Sequence, residues 1–158
     1  MRAVVQRVLH SSVTVDGKVV AEIGEGLNVL LGVSCDDDER DVKYLADKIT
    51  GLRIFSDEEG KTNLSIFDVK AAGRDCGVII VSQFTIMGDV RHGKRPAFTA
   101  AAEPARAEEL YGMLADAVEE KCAPLGITVG RGVFRADMTV EITNDGPFTI
   151  LLDSKKIF

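Results

Sequence analysis

The stretch Leu27-Asn28-Val29-Leu30-Leu31-Gly32-Val33 is a nearly continuous apolar run, rich in leucine and β-branched residues. It suits a strand buried on both faces, which places it inside a layered β structure. Val78 to Phe84 reads as a central strand, and Arg2 to Leu9 as a first strand. Val13 to Val15 and Lys18 to Val20 flank Asp16-Gly17, a hairpin signal because glycine tolerates positive φ and aspartate comes close to doing so. Ile127 to Val133, Met138 to Thr143 and Phe148 to Leu152 fit three further strands.

Helical spacing occurs in two places. Val42, Leu45, Ala46, Ile49 and Leu52 recur every three or four residues after the acids Asp36 to Asp38, which predicts a helix over about 38–50. A second helix begins at Glu103-Pro104 and ends before Pro124-Leu125-Gly126, with Ala107, Leu110, Tyr111, Leu114, Ala117 and Val118 as its inward stripe. Tyr111 and Met113 read as packing within that pattern. Between the helices, Leu52 to Phe55 reads as a short strand, Ser56 to Gly60 as a polar turn, Asn63 to Phe67 as a bent edge strand, and Ala71 to Asp75 as an exposed connection.

This order is not an alternating βαβ series, and neither a GxGxxG after the first strand nor a Walker loop is present. The expected fold class is α+β: β-rich, layered sandwich or barrel-like sheets with two main helices packed on one side. At 158 residues, one domain spanning 1–158 is expected.

Other features narrow the chemistry. No uncharged apolar stretch approaches the roughly 20 residues that cross a bilayer. The opening segment lacks the apolar region and cleavage site of a secretion signal, so the expected address is cytoplasmic, with no membrane partner. Cys35, Cys76 and Cys122 are odd in number and without CxxC spacing, and His10 and His92 are the two imidazoles. Neither a disulfide framework, a metal site nor a cofactor is expected. Nineteen basic against twenty-five acidic residues give a formal charge of -6, which argues against broad wrapping of nucleic acid. Two local basic clusters remain, Arg91, His92, Lys94 and Arg95, and the smaller Arg131 with Arg135. Each suits either a basic mouth or solvated loop charge.

Two polar segments sit at strand ends: Ser82-Gln83-Phe84-Thr85 and Asn144-Asp145-Gly146-Pro147-Phe148-Thr149. Polar groups where a buried strand emerges are built for recognition or chemistry more often than for packing. Gly146-Pro147 alone would be an ordinary tight turn.

Together with Met1 to Val8, Arg53-Ile54-Phe55, Gly93-Lys94-Arg95-Pro96 and Ala136-Asp137-Met138, these segments resemble D-aminoacyl-tRNA deacylase, the bacterial and eukaryotic type once called D-tyrosyl-tRNA deacylase. The resemblance spans essentially the whole chain. It implies an esterase that binds the 3′ acceptor end of aminoacyl-tRNA, releases D-amino acids, and also removes glycine mischarged on tRNA(Ala). It further implies a homodimer with active sites at the subunit interface and no cofactor. By that similarity Ser82, Gln83, Phe84 and Thr85 form the catalytic segment and line the pocket for the aminoacyl end and terminal adenosine. Gly146 and Pro147, with Phe134 and Met138, serve substrate binding and chiral selection. The Gly-Pro pair, with a cis bond in the family, projects into the other subunit's pocket. Arg7, Asn144 and Thr149 support it, and Arg91, His92, Lys94 and Arg95 are candidate tRNA contacts.

Stiff main-chain groups that accept the substrate's α-ammonium leave too little room for an L side chain, whereas a hydrogen on that face fits. Hydrolysis in the family is assisted by the terminal ribose 2′-hydroxyl, with N–H groups near Phe84 and Thr85 serving the oxyanion. Thr85 would need a neighbouring base to act as nucleophile, and neither histidine has a claim to that role. Ile86-Met87-Gly88 and the longer 69–77 connection depart from the family pattern, which bears on substrate preference. The competing functions are a general small-ester hydrolase and a noncatalytic RNA-binding module; Ser82 lacks a GxSxG elbow, and an RNA module leaves the polar strand ends without a purpose.

Overall fold

Asp16 and Gly17 both hold positive φ, 49° and 74°, and close the expected hairpin in the computed structural model, which describes residues 1–157. Its arms are longer than the sequence implies. Arg2 to Leu9 and Val13 to Val15 form one strand, β1 (Arg2–Val15), which pairs antiparallel with β2 (Lys18–Ile23). β3 (Gly26–Gly32) pairs with the first half of β1 and lies parallel to β6 (Gly77–Ser82), which in turn is parallel to β7 (Thr128–Arg131). β8 (Thr139–Asp153) runs antiparallel along the other edge of β1.

The two central strands are covered on both faces, as their apolar runs require. Val78 and Ile80 join one core cluster, while Ile79 and Val81 join a second on the opposite face. The first cluster lies beneath two helices, α1 (Glu39–Gly51) and α3 (Pro104–Cys122). Asp38 caps α1 through the Arg40 N–H, with Asp41 reaching back to the cap, and Val42, Leu45, Ala46 and Ile49 point inward. From α3 the buried residues are Leu110, Tyr111, Leu114, Ala115, Val118 and Cys122. Each leucine or isoleucine so buried contributes about 1.5–3 kcal/mol.

The second cluster forms because the sheet curls until β2 lies against β6 and β7. A Cβ on Gly130 would sit 2.9 Å from the Ala21 Cβ, and one on Gly77 2.5 Å from the Ile23 Cγ2. Glycine at these two positions permits the approach, and the sheet becomes nearly a closed barrel.

Three sequence expectations are corrected. Asn63 to Phe67 is not one edge strand: β5 (Thr62–Leu64) pairs with β4 (Phe55–Ser56), and Ser65 then caps a short helix, α2 (Ile66–Ala71), through a reciprocal exchange with Asp68. The cap satisfies donors that a strand would have left open. Leu52 to Phe55 is mostly irregular, with Phe55 alone of these residues in β4. Finally, Met138 to Thr143 and Phe148 to Leu152 are not two strands: apart from Met138, which precedes it, these residues belong to the single strand β8. Along β1, Gln6 faces Thr149 but Val8 faces Asn144, so residues 145–148 bulge out of β8 rather than ending it.

Candidate active site

Where β6 leaves the sheet, Gln83 N donates to Leu31 O at 2.7 Å, and the chain enters a short 3-10 turn, Phe84–Met87. The turn closes through Gly88 N to Thr85 O at 2.9 Å, and the Gln83 amide donates to the Thr85 hydroxyl. The Phe84 and Thr85 N–H groups open this turn and have no acceptor among the described residues. Phe84 is 58% exposed and meets Phe98 edge-on, with ring centroids 5.1 Å apart.

The facing wall comes from the segment after β7. Tyr111 of α3 places its hydroxyl 2.9 Å from Ile80 O and 3.1 Å from Gly132 O, and Gly132 N also donates to Ile80 O at 2.9 Å. The tyrosine thus sits at the fork where β6 and β7 separate. Burial pushes its phenol up to about 12. Its ring lies 5.9 Å from that of Phe134. The gap between the diverging segments is a cavity of about 560 Å³, with Ser82, Gln83 and Phe84 on one side, Phe134 to Met138 on the other, and Leu31, Val33 and Val81 among its apolar walls.

Five expected site residues therefore converge: Ser82, Gln83, Phe84, Phe134 and Met138. Thr85 lies just beyond, exposed on the turn. A second group gathers elsewhere, around the β8 bulge. Asn144 braces it by accepting from Phe148 N at 2.7 Å and donating to Phe148 O at 3.3 Å and Thr149 Oγ1 at 3.2 Å. Beneath it, the Arg7 guanidinium donates to Ile54 O at 2.6 Å and lies 4.9 Å from the Phe148 ring centroid. Arg7 Nε is 2.8 Å from Asp145 Oδ2, an ion pair without the alignment of a hydrogen bond. Gly146 has φ +132° and is joined to Pro147 by a cis peptide, and both residues are exposed. Neither borders the cavity of its own chain.

The basic loop projects from the same rim. Asp89 and Ala97 exchange hydrogen bonds of 2.7 and 2.9 Å at its base, and Phe98 follows. Arg91 folds back on Asp89, with Nη2 2.6 Å from Oδ2, and holds that carboxyl down at about 2. His92, Lys94 and Arg95 are exposed. Arg131 is bound by Asp116 and Glu119 of α3, whereas Arg135 borders the cavity. Sequence reasoning missed Phe98 and the Tyr111 hydroxyl. The signal for the latter was a tyrosine in an inward stripe, whose O–H needs a partner.

Residues 4–153 match the family model described as D-Tyr-tRNA(Tyr) deacylase. Curated relatives named D-aminoacyl-tRNA deacylase include one from Koribacter versatilis (strain Ellin345) at 56% identity and one from Thermoanaerobacter sp. (strain X514) at 52%, each covering 100% of both chains. A solved structure described as "c-Myc DNA Unwinding Element Binding Protein" has a TM-score of 0.87 and 38% identity, covering 97% of this chain and 98% of that one. Another, described as a probable eukaryotic D-amino acid tRNA deacylase, shares the fold, with a TM-score of 0.75 and 18% identity over 96% and 97% of the two chains.

Proposed function

The chain belongs to the D-Tyr-tRNA(Tyr) deacylase family and is an ester hydrolase acting on D-aminoacyl-tRNA, and from that premise we propose that its cavity and its β8 bulge work as two halves of one site, contributed by different subunits of a homodimer. The cavity takes the aminoacyl end and the terminal adenosine, with Ser82 to Thr85 along one wall and Phe134 and Met138 along the other. The bulge of a second copy enters the mouth and presents the main chain of Gly146 and Pro147 to the substrate's α-carbon.

One observation carries this reading: Gly146 and Pro147 are exposed, braced from below by Asn144 and Arg7, and absent from the walls of their own chain's cavity. A rigid main-chain element aimed outward suits a partner's site. The α-ammonium binds to its carbonyls, and the wall behind leaves space for a hydrogen but not for an L side chain. A D side chain points away and goes unread. Glycine passes the same filter, which extends the activity to glycine mischarged on tRNA(Ala).

Hydrolysis follows from placement. The ester is already activated relative to an amide, so orienting water and stabilising the developing oxyanion suffice. The unpartnered N–H groups of Phe84 and Thr85 supply the oxyanion donors, and the ribose 2′-hydroxyl assists the attack. Single-turnover deacylation of matched D- and L-aminoacyl-tRNAs tests this. Gly146→Ala puts a Cβ 2.9 Å from Phe148 N at a φ unfavourable for an L residue, and is expected to lower both deacylation of the D-substrate and the D-over-L preference, each roughly tenfold or more. A 2′-deoxy terminal adenosine is expected to abolish turnover. Unchanged preference in Gly146→Ala would remove the filter, and tRNA retained without cleavage would mark a binding module.

A further inference from the structure

Among the described residues, three non-glycine residues hold positive φ: Asp16 in the β1–β2 hairpin, Lys156 near the end of the chain, and Arg135, at 61°, in the segment that forms the cavity's second wall. A side chain with a Cβ disfavours this conformation, and a glycine would make the same turn without cost. Backbone outliers of this kind cluster at functional sites.

The charge pattern points the same way. Eight of the ten arginines are held by a carboxylate or by a carbonyl or amide oxygen of the protein. Arg135 and Arg95 are the two without such a partner among the described residues. Four residues before Arg135, Arg131 is bound by two acids. Asp137 lies on the same wall, yet it forms no ion pair with Arg135 among the described residues. Arg135 is thus, among the described residues, the one cation lining the cavity, and it is exposed and uncommitted.

We infer that Arg135 binds the phosphodiester on the 5′ side of the terminal adenosine and so sets the depth at which the aminoacyl ester enters. The inference rests on the cavity being the aminoacyl-tRNA site. At the acceptor end the ester is neutral and the α-amino group cationic, so the phosphodiesters are the anions common to every substrate. A guanidinium can hold one bidentately.

The test compares D-tyrosyl-tRNA with D-tyrosyl-adenosine, which has the same ester and base but no phosphate. Arg135→Gln removes the charge and keeps the Cβ, while Arg135→Gly also relieves the backbone. Both are expected to lower the preference for the tRNA substrate over the adenosine substrate roughly tenfold. Both should also make log(kcat/KM) on tRNA shallower against log salt by about 0.7, one single-strand phosphate contact. Arg135→Gly should in addition raise Tm by roughly 2–4 °C. Equal losses on the two substrates, or an unchanged preference and salt slope, would overturn the assignment. A wild-type protein that cleaves neither substrate would overturn the parent reading and this inference with it, a failure visible before any substitution is made.

Discussion

Thr85 shows how little a residue's type reveals of its task. Its hydroxyl accepts from the Gln83 amide, and it sits exposed outside the cavity wall. Among the described residues neither histidine hydrogen-bonds Thr85, and His10 pairs with Glu22 at 3.0 Å. Activation of a threonine nucleophile needs such a base. Thr85→Ala is therefore expected to keep hydrolysis within about tenfold of wild type, a loss comparable to one weak hydrogen bond. Single-turnover rates with binding measured in parallel check this, and complete loss of hydrolysis with intact binding would restore the nucleophile. Arg7 and Asn144 act differently, through other residues: they shape the bulge without belonging to its exposed tip.

Individual elements show where local signals suffice. Asp38 before α1 and Pro104 at the start of α3 are readable because long amphipathic stripes follow them. α2 escaped because six residues are too few to display a period, although its Ser65-x-x-Asp68 signature was present. Ser65→Ala is expected to cost about 1 kcal/mol by denaturant unfolding, the usual loss of a cap. α3 carries a pH dependence. Burial raises the Tyr111 phenol from its ordinary value near 10 to about 12, and the Cys122 thiol from near 9 to about 11. Both favour the protonated form in the folded state, so their contribution is full below the unfolded values and is lost as pH rises through the folded ones. Stability should fall from about pH 9, with the Tyr111 share, on the order of 2 kcal/mol, disappearing between about pH 10 and 12. Tyr111→Phe should flatten that upper part of the curve, while the Cys122 part remains.

At the scale of the whole molecule, the barrel-like curl of the sheet separates the cavity from the β8 bulge. The cavity opens where β6 and β7 diverge, and the bulge stands on β8 along the outer edge of β1. The proposed homodimer, joining one copy's bulge to another's cavity, makes a clear prediction. Gly146→Ala impairs the inserted half and Phe134→Ala the receiving half, so mixing the two variants creates heterodimers with one intact site. Activity on D-tyrosyl-tRNA should recover to about a quarter of wild type, since random mixing gives half heterodimers with one intact site of two. No recovery after confirmed subunit exchange would place both halves within one chain. Leu9 and Leu151, each 58% exposed on β1 and β8, are apolar surface available to such a contact.

The sequence by itself determined most of the elements and the family: buried strands as apolar runs, the two long helices as stripes, and two polar segments that, with other stretches, carry the resemblance to the deacylase family. These are local patterns, legible because burial and capping act on neighbours in the chain. Only the tertiary structure decided that Ser82 to Phe84 and Phe134 to Met138 share a cavity while Gly146 and Pro147 stand apart from it. It likewise resolved Thr139 to Asp153 into one strand with a bulge, and left Arg135 without a partner among the described residues where Arg131 is bound. Those outcomes depend on strand register and sheet curvature, which arise from contacts between residues far apart in sequence and leave no periodic mark along it.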